Sequence, residues 1–242
     1  MSKLYVVGIG PGAMDQMTVY AMRVLEEVDV IAGYGLYVDL VRPALPGKQY
    51  LVTPMKREAE RCRMAIETAQ TGKNVAMISS GDAGVYGMAG LIYELAQGTD
   101  IEIEVVPGVT AALSGGAALG APLTHDFAVI SLSDLLTPWE KIDKRLECAA
   151  QADLCIAIYN PASQRRAGYL RRACEIVLRY ASPDTVCGVV RNIGRPGEFS
   201  QIMTLGELAG YQADMFTTVF IGNRQTKVIR GKMVTPRGYK DV

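Results

Sequence analysis

Three glycine-rich segments in the first half of the chain decide the fold: VVGIGPG at residues 6–12, SSGDAGVYG at 79–87 and VVPGVTAA at 105–112. Each follows a run of β-favouring residues and precedes a pattern typical of a helix, so each marks a strand-to-helix turn. Glycine is needed where the backbone adopts positive φ or approaches a ligand without a Cβ in the way. Because ligands bind at the carboxyl ends of strands in an open α/β sheet, the three turns predict a ligand cleft.

The pattern around these turns predicts an α/β protein of two lobes with mixed sheets and a ligand cleft between them. The first lobe, residues 1–119, alternates strands and helices and suits a mostly parallel sheet. Its strands are predicted at 3–7, 29–32, 74–79 and 101–106, and its helices at 18–28, 56–70, 88–97 and 110–119.

The turn residues at 120–124 mark the boundary, and the second lobe takes residues 120–242. Strands are predicted at 127–132, 154–159 and 185–191, with helices at 139–150 and 166–180. The last strands, at 199–204, 216–221 and 227–230, have little helix between them, which predicts an antiparallel addition to the second sheet.

The composition limits the partners and the compartment. Lysine plus arginine equals aspartate plus glutamate at 25 each, so no net field favours nucleic acid or an anionic membrane. No apolar stretch is long enough to span a bilayer, and the amino terminus lacks the pattern of a signal peptide. The five cysteines are scattered and there is a single histidine, which predicts reduced thiols, no metal site and a cytoplasmic protein.

The first turn formally matches the dinucleotide fingerprint G-x-G-x-x-A at residues 8–13. Two details oppose nicotinamide binding. Pro11 has no N–H to offer a pyrophosphate, and the acidic residues Glu26, Glu27 and Asp29 precede the second strand instead of closing it. A nicotinamide-dependent oxidoreductase is therefore an alternative that the motif disfavours, and the missing lysine excludes a P-loop.

The second and third turns carry groups suited to a ligand. The Asp82 carboxylate can accept hydrogen bonds from a ribose or bind an ammonium group. Its structural alternative is an N-cap or Asx-turn for the next helix. In the third turn Thr110 offers a hydroxyl and Ala111 an amide, and the alternative there is a helix interface of small residues.

Together, G-x-G-P-G at 8–12, SGDxGxYGM at 80–88, PGVTA at 107–111 and PLTHDF at 122–127 resemble the tetrapyrrole methylases, which use S-adenosylmethionine in corrin and sirohaem synthesis. The resemblance covers essentially the whole chain in the family's order and spacing. The segments 132–139, 158–161 and 190–192 are similar to family members that methylate carbon 17 of precorrin-3B or of its cobalt-containing counterpart. Ala83 departs from the proline that many relatives carry after the aspartate.

The resemblance implies the fold of class III S-adenosylmethionine methyltransferases, a homodimer, and S-adenosylhomocysteine as the product of the cofactor. It also implies a cofactor site. The residues that match it are Pro11, Gly81, Asp82, Val85, Thr110, Ala111, Tyr159, Asn160, Asn192 and Thr217.

The implied reaction methylates carbon 17 and contracts the macrocycle, extruding one ring carbon as an acetyl group, on the route to cobalamin. Members acting at carbon 11 or 20, and a ligand-binding protein without chemistry, remain alternatives. The absence of an iron–sulfur extension favours the anaerobic, cobalt-first route.

His125 is a candidate acid or base, with a structural histidine as the alternative. Since the substrate is a poly-acid, arginines are natural partners, although each alone is also an ordinary surface charge. The candidate substrate residues are Gly10, Gly12, Arg165, Arg166, Arg191 and Arg224.

Overall fold

The computed structural model describes residues 2–163 and 167–240. Contacts within the chain divide it into two compact units, Met1–Thr110 and Ala111–Val242. Each unit is built on one five-stranded sheet with helices on its faces.

The sheet of the first unit is entirely parallel, with the strand order β3-β2-β4-β1-β5. Its strands are β1 (Lys3–Gly8), β2 (Val30–Tyr34), β3 (Gln49–Thr53), β4 (Val75–Ser79) and β5 (Glu102–Val106). The helices are α1 (Val19–Glu27), α2 (Gly35–Val41), α3 (Glu58–Gln70) and α4 (Ala89–Leu95), with short 3-10 turns at Met14–Gln16 and Arg42–Ala44.

Both faces of the central strands are buried, which explains why β2 and β4 are apolar along nearly their whole length, whereas the edge strands β3 and β5 carry polar residues. Successive residues of β1 face opposite sides: Val6 packs in the core cluster that includes α3 and α4, and Val7 packs in the cluster that includes α1 and α2. Every residue of β4 is buried. The strand ends therefore emerge from a rigid layer.

The second unit contains a mixed sheet with the order β10-β9-β11-β8-β7 and a small sheet with the order β12-β13-β6. Its helices are α5 (Ala111–Leu119), α6 (Trp139–Gln151), α7 (Tyr169–Val177) and α8 (Leu205–Leu208). Its strands are β6 (Gly120–Ala121), β7 (Phe127–Ser131), β8 (Cys155–Tyr159), β9 (Val186–Arg191), β10 (Phe199–Thr204), β11 (Thr217–Ile221), β12 (Lys227–Ile229) and β13 (Lys232–Val234). Strands β7 and β8 are parallel, whereas β11 runs antiparallel to β8 and β9.

The structure confirms the α/β class and the mixed second sheet. It adds β3 and α2, which the sequence pattern did not predict. The sequence placed the lobe boundary after α5, whereas the second unit begins with this helix at Ala111. The reason is close packing: a Cβ on Gly115 would lie 2.9 Å from the Phe220 ring, and one on Gly188 would lie 2.6 Å from Leu119.

Candidate functional site

The three glycine turns lie at the carboxyl ends of three adjacent strands of the first sheet. They follow β1, β4 and β5, and β1 lies between the other two. The strands are parallel, so the turns share one edge, as the sequence predicted.

At that edge the turns contact one another through their backbones. Gly10 and Gly81 exchange two main-chain hydrogen bonds of 3.0 and 2.7 Å. A Cβ built on Gly8 would lie 2.7 Å from the Gly81 carbonyl oxygen and 2.8 Å from the Gly108 nitrogen. Real Cβ atoms essentially never come this close, so Gly8 and Gly108 are required by close packing.

Asp82 connects the second turn to the third. Its Oδ1 accepts hydrogen bonds from the N–H groups of Gly84 at 2.8 Å and Val85 at 3.1 Å. Its Oδ2 accepts one from the Gly108 N–H at 2.9 Å. The structural alternative raised by the sequence, an Asx-type turn, is therefore present, and the same carboxylate also bridges two turns.

The first turn has no main-chain N–H available for a phosphate between residues 9 and 11. The Ile9 N–H is donated to the Ser79 carbonyl at 2.9 Å, the Gly10 N–H is donated to Gly81, and Pro11 has none. Gly10 adopts a φ of +72°, which glycine permits. This geometry does not fit the pyrophosphate site of a dinucleotide fold.

In the second unit, the predicted cofactor residues meet at one edge of the mixed sheet. Tyr159 ends β8, and Asn160 follows it. Asn192 follows β9, and Thr217 begins the antiparallel β11, where it pairs with Arg191. Both asparagines adopt a φ of +53°, a left-handed conformation that asparagine tolerates better than most residues.

Hydrogen bonds hold the side chains of Tyr159 and Asn160. The Tyr159 hydroxyl oxygen accepts a 2.6 Å hydrogen bond from the Ala112 N–H in the first turn of α5, where backbone donors have no helical partner. The Asn160 side chain donates to the Ser131 hydroxyl at 2.9 Å. Ala111 begins α5, and Thr110 is the last residue of the first unit.

Arg191 forms an ion pair of 2.6 Å with Asp214. Asp214 also accepts hydrogen bonds from the Thr217 hydroxyl at 2.7 Å and the Phe216 N–H at 3.0 Å. Partial burial of Asp214 disfavours its charged form, but the hydrogen bonds from Thr217, Arg191 and Phe216 outweigh this and lower the pKa of the carboxyl. The Arg191 guanidinium is thus engaged within the protein.

Two predicted residues lie at the opposite edge of the second unit's sheet. His125 precedes β7, and its Nδ1 accepts a 3.0 Å hydrogen bond from the Asp126 N–H. Arg224 follows β11, and because that strand is antiparallel, Arg224 lies where β8 begins; its N–H is donated to Asp153 at 3.1 Å. The structure therefore does not bring either residue to the edge of Tyr159 and Thr217. Arg165 and Arg166 lie outside the described residues.

Sequence reasoning missed Asp214 and Ser131. Asp214 lies in a loop without a motif, and Ser131 is one hydroxyl in an apolar strand, so neither had a local signal.

Among the residues that the structure describes, no group of three His, Cys, Asp or Glu side chains could hold a metal ion. The five cysteines are free; Cys148 is exposed and the other four are buried. No helix in the described part of the chain has both the length and the apolar character needed to cross a membrane.

The fold and the glycine-lined strand ends define a tetrapyrrole methylase. A sequence profile of the tetrapyrrole (corrin/porphyrin) methylases matches residues 3–209, and the chain belongs to this family, which confirms the resemblance inferred from the motifs.

Two relatives and one crystal structure are similar to this chain over nearly its whole length. The chain is 48% identical to a probable cobalt-factor III C(17)-methyltransferase of Salmonella typhimurium, over 98% of this chain and 99% of the relative. It is 39% identical to a precorrin-3B C(17)-methyltransferase of a Sinorhizobium species, over 98% of this chain and 96% of the relative. The crystal structure of the methyltransferase CobJ superposes with a TM-score of 0.89 at 34% identity, covering 98% of this chain and all of the other.

Proposed function

We propose that this chain transfers the methyl group of S-adenosylmethionine to carbon 17 of a cobalt-containing corrin precursor and contracts the macrocycle, in the synthesis of cobalamin. The observation that carries the proposal is the 48% identity to a cobalt-factor III C(17)-methyltransferase, which spans nearly the whole of both chains. The precorrin-3B relative is less similar, at 39%, so the cobalt-containing macrocycle is the favoured substrate.

The described residues fit S-adenosylmethionine as the methyl donor. In the first unit, Gly81, Val85 and Thr110 supply small side chains and main-chain polar groups beside the turns. Asp82 fixes the shape of this surface through its bonds to Gly84, Val85 and Gly108. Pro11, also proposed for the cofactor site, belongs to the first turn and is followed by Gly12.

In the second unit, the proposed cofactor residues are Ala111, Tyr159, Asn160, Asn192 and Thr217. Apart from Ala111, which begins α5, they lie at one edge of the sheet. The Asp214 carboxylate holds Thr217 in place, and the Ser131 hydroxyl holds Asn160. These bonds fix the side chains before any ligand binds, which lowers the entropy lost on binding.

The chemistry needs alignment more than it needs a strong acid or base. S-adenosylmethionine supplies an electrophilic methyl group. The protein's part is to hold donor and acceptor carbon in line, and such positioning can provide roughly 7–11 kcal/mol of a barrier. Rigid strand ends with interlocked turns suit this task. His125 is not included in the proposed machinery because it lies at the opposite edge of its sheet.

For the substrate, we retain Gly10 and Gly12 of the first turn as proposed contacts of the macrocycle. Arg191 is a weaker candidate than the sequence indicated because Asp214 already neutralises it. Arg165 and Arg166 stay predictions. A homodimer in the cytoplasm, as the resemblance implies, completes the proposal, and light scattering of the purified protein tests the dimer.

The experiment that tests the function is an anaerobic incubation with methyl-labelled S-adenosylmethionine and either cobalt-factor III or metal-free precorrin-3B. Mass spectrometry is expected to show one added methyl group on the cobalt-containing macrocycle, and NMR of the product to place it on carbon 17. Label at carbon 11 or carbon 20 would assign another activity within the family. Binding of both ligands without turnover would indicate a ligand-binding protein, and binding of NADH in place of S-adenosylmethionine would indicate an oxidoreductase.

A further inference from the structure

Leu135 and Leu136, at the tip of the loop between β7 and α6, are exposed to solvent. Leu135 is 67% exposed and Leu136 is 98% exposed, whereas Leu132 at the start of the same loop is fully buried. A single exposed leucine is ordinary on a protein surface. Two neighbouring leucines at the tip of an ordered loop form an apolar surface that a ligand can contact.

The beginning of this loop is fixed by hydrogen bonds. The Leu132 N–H is donated to the Tyr159 carbonyl at 2.9 Å. The Ser131 hydroxyl accepts from the Ser133 N–H at 3.2 Å and from the Asn160 side chain at 2.9 Å. The loop therefore starts in direct contact with two of the proposed cofactor residues.

The other side of the loop is fixed on α7. The Tyr169 hydroxyl donates to Asp134 at 2.6 Å, and the rings of Tyr169 and Trp139 are 4.6 Å apart. Arg172 lies over the Trp139 ring at 4.4 Å and pairs with Asp143 at 2.7 Å. With both ends held, the two leucines are presented in a defined place, and such preorganisation favours binding.

The composition of the loop identifies the part of a ligand that it fits. Residues 132–138, LSDLLTP, include one acidic side chain and no basic one. Such a surface repels carboxylates and does not attract phosphates, so it suits neither the acidic arms of a tetrapyrrole nor a nucleic acid. It suits a flat apolar surface, which a tetrapyrrole offers on the two faces of its ring.

We propose that Leu135 and Leu136 pack against a face of the tetrapyrrole ring and contribute to substrate specificity. The inference rests on the proposed function, and it is supported by the register of the sheet. Ser131 pairs with Tyr159 across parallel strands, so the loop leaves the sheet beside the proposed methyl-donor site.

The test is the double variant L135S/L136S, with L135M/L136M as the conservative variant that keeps an apolar surface. We expect the serine variant to raise the KM for the macrocycle about ten-fold, because two leucines lose apolar contact with the ring. The kcat at saturation and the Kd for S-adenosylhomocysteine stay within two-fold, and the methionine variant restores the KM. Fluorescence titration with uroporphyrin, a stable carboxylated tetrapyrrole, measures ring binding without turnover.

The matched control is V228S/I229S, which changes two adjacent exposed apolar residues in β12, 53% and 43% exposed, and leaves the KM unchanged. An unchanged KM and uroporphyrin Kd in L135S/L136S overturn the inference, as does a change of oligomeric state, which would show that the leucines cover a second copy of the chain. An equal loss of S-adenosylhomocysteine affinity also overturns it. Failure of the wild type to bind any tetrapyrrole refutes the proposed function instead.

Discussion

Replacing Asp82 by asparagine tests whether this carboxylate acts by holding two turns together. The substitution keeps the size of the side chain but turns one acceptor oxygen into an N–H₂ donor. If the amide oxygen stays on Gly84 and Val85, the new donor faces the Gly108 N–H, which loses its acceptor. If the amide flips, Gly84 and Val85 lose theirs.

The structure sets the size of the effect. Hydrogen bonds to charged groups contribute about 1.5–3 kcal/mol each. D82N is therefore expected to lower the free energy of unfolding by about 2 kcal/mol, and D82A, which removes all three bonds, by more. Because the second and third turns then move independently, we expect the affinity for S-adenosylhomocysteine to fall roughly ten-fold.

Calorimetry with three ligands separates positioning from direct contact. A carboxylate that touches the ligand would bond a ribose hydroxyl or the ammonium group. A positioning residue weakens S-adenosylhomocysteine, methylthioadenosine (no ammonium group) and a dideoxyribose analogue by the same factor. Asp29 supplies the matched control, because its carboxylate accepts the Asn74 N–H at 2.8 Å at the other edge of the same sheet; D29N should leave all three affinities unchanged. If wild type and D82N bind one of the two analogues equally well, Asp82 contacts the group that this analogue lacks, and the positioning role is refuted.

Three further predictions concern packing, pH and thiol access. Gly108→Ala should destabilise the protein by about 3 kcal/mol or more, because its Cβ would lie 2.6 Å from the Gly8 carbonyl group. The control is Gly90→Ala in α4, where nothing lies within 4 Å of the new Cβ, and it should stabilise the protein by up to about 1 kcal/mol. Equal urea midpoints for the two variants would contradict the packing argument. Folding lowers the pKa of Asp214, so the stabilisation that this carboxylate gives the protein is present above the pKa of the unfolded state and is lost as the pH falls through the lower folded pKa. The difference in unfolding free energy between wild type and D214N should therefore shrink below about pH 4. A constant difference from pH 7 to pH 3 would disprove the pH dependence. One thiol, Cys148, should react rapidly with Ellman's reagent in the folded protein, and C148S should abolish that fast phase.

The sequence predicted the shared edge of the three turns because that inference needs only strand direction. Runs that alternate with helices form parallel strands, and the ends of parallel strands share an edge. The contact of Gly8 with Gly108 depends on the register of β1 against β5, which no local pattern contains. Strand β3 was missed because it is a partly exposed edge strand without a continuous apolar run. Helix α2, GLYVDLV, was missed because it begins with glycine and contains β-branched valines, which are poor signals of a helix.

The sequence does not establish the direction of each strand in the second unit, so it could not show that His125 and Arg224 lie away from the edge of Tyr159 and Thr217. Both lie next to strands that carry site residues at their other ends. A residue after β8 or β9 reaches the proposed edge, whereas a residue after the antiparallel β11 reaches the opposite one. Proximity in sequence to a site strand is therefore informative only when the direction of that strand is known.

The two units use carboxylates in the same way. Asp82 accepts three main-chain N–H groups, and Asp214 accepts an arginine, a hydroxyl and an N–H. In both cases the carboxylate charge is stabilised by hydrogen bonds within the protein, and the carboxylate holds a loop in one conformation. Each edge therefore offers a ligand fixed main-chain groups and small side chains. The proposed ring contact of Leu135 and Leu136 adds an apolar surface beside the edge of the second unit, because the loop that carries them starts at Ser131, which pairs with Tyr159.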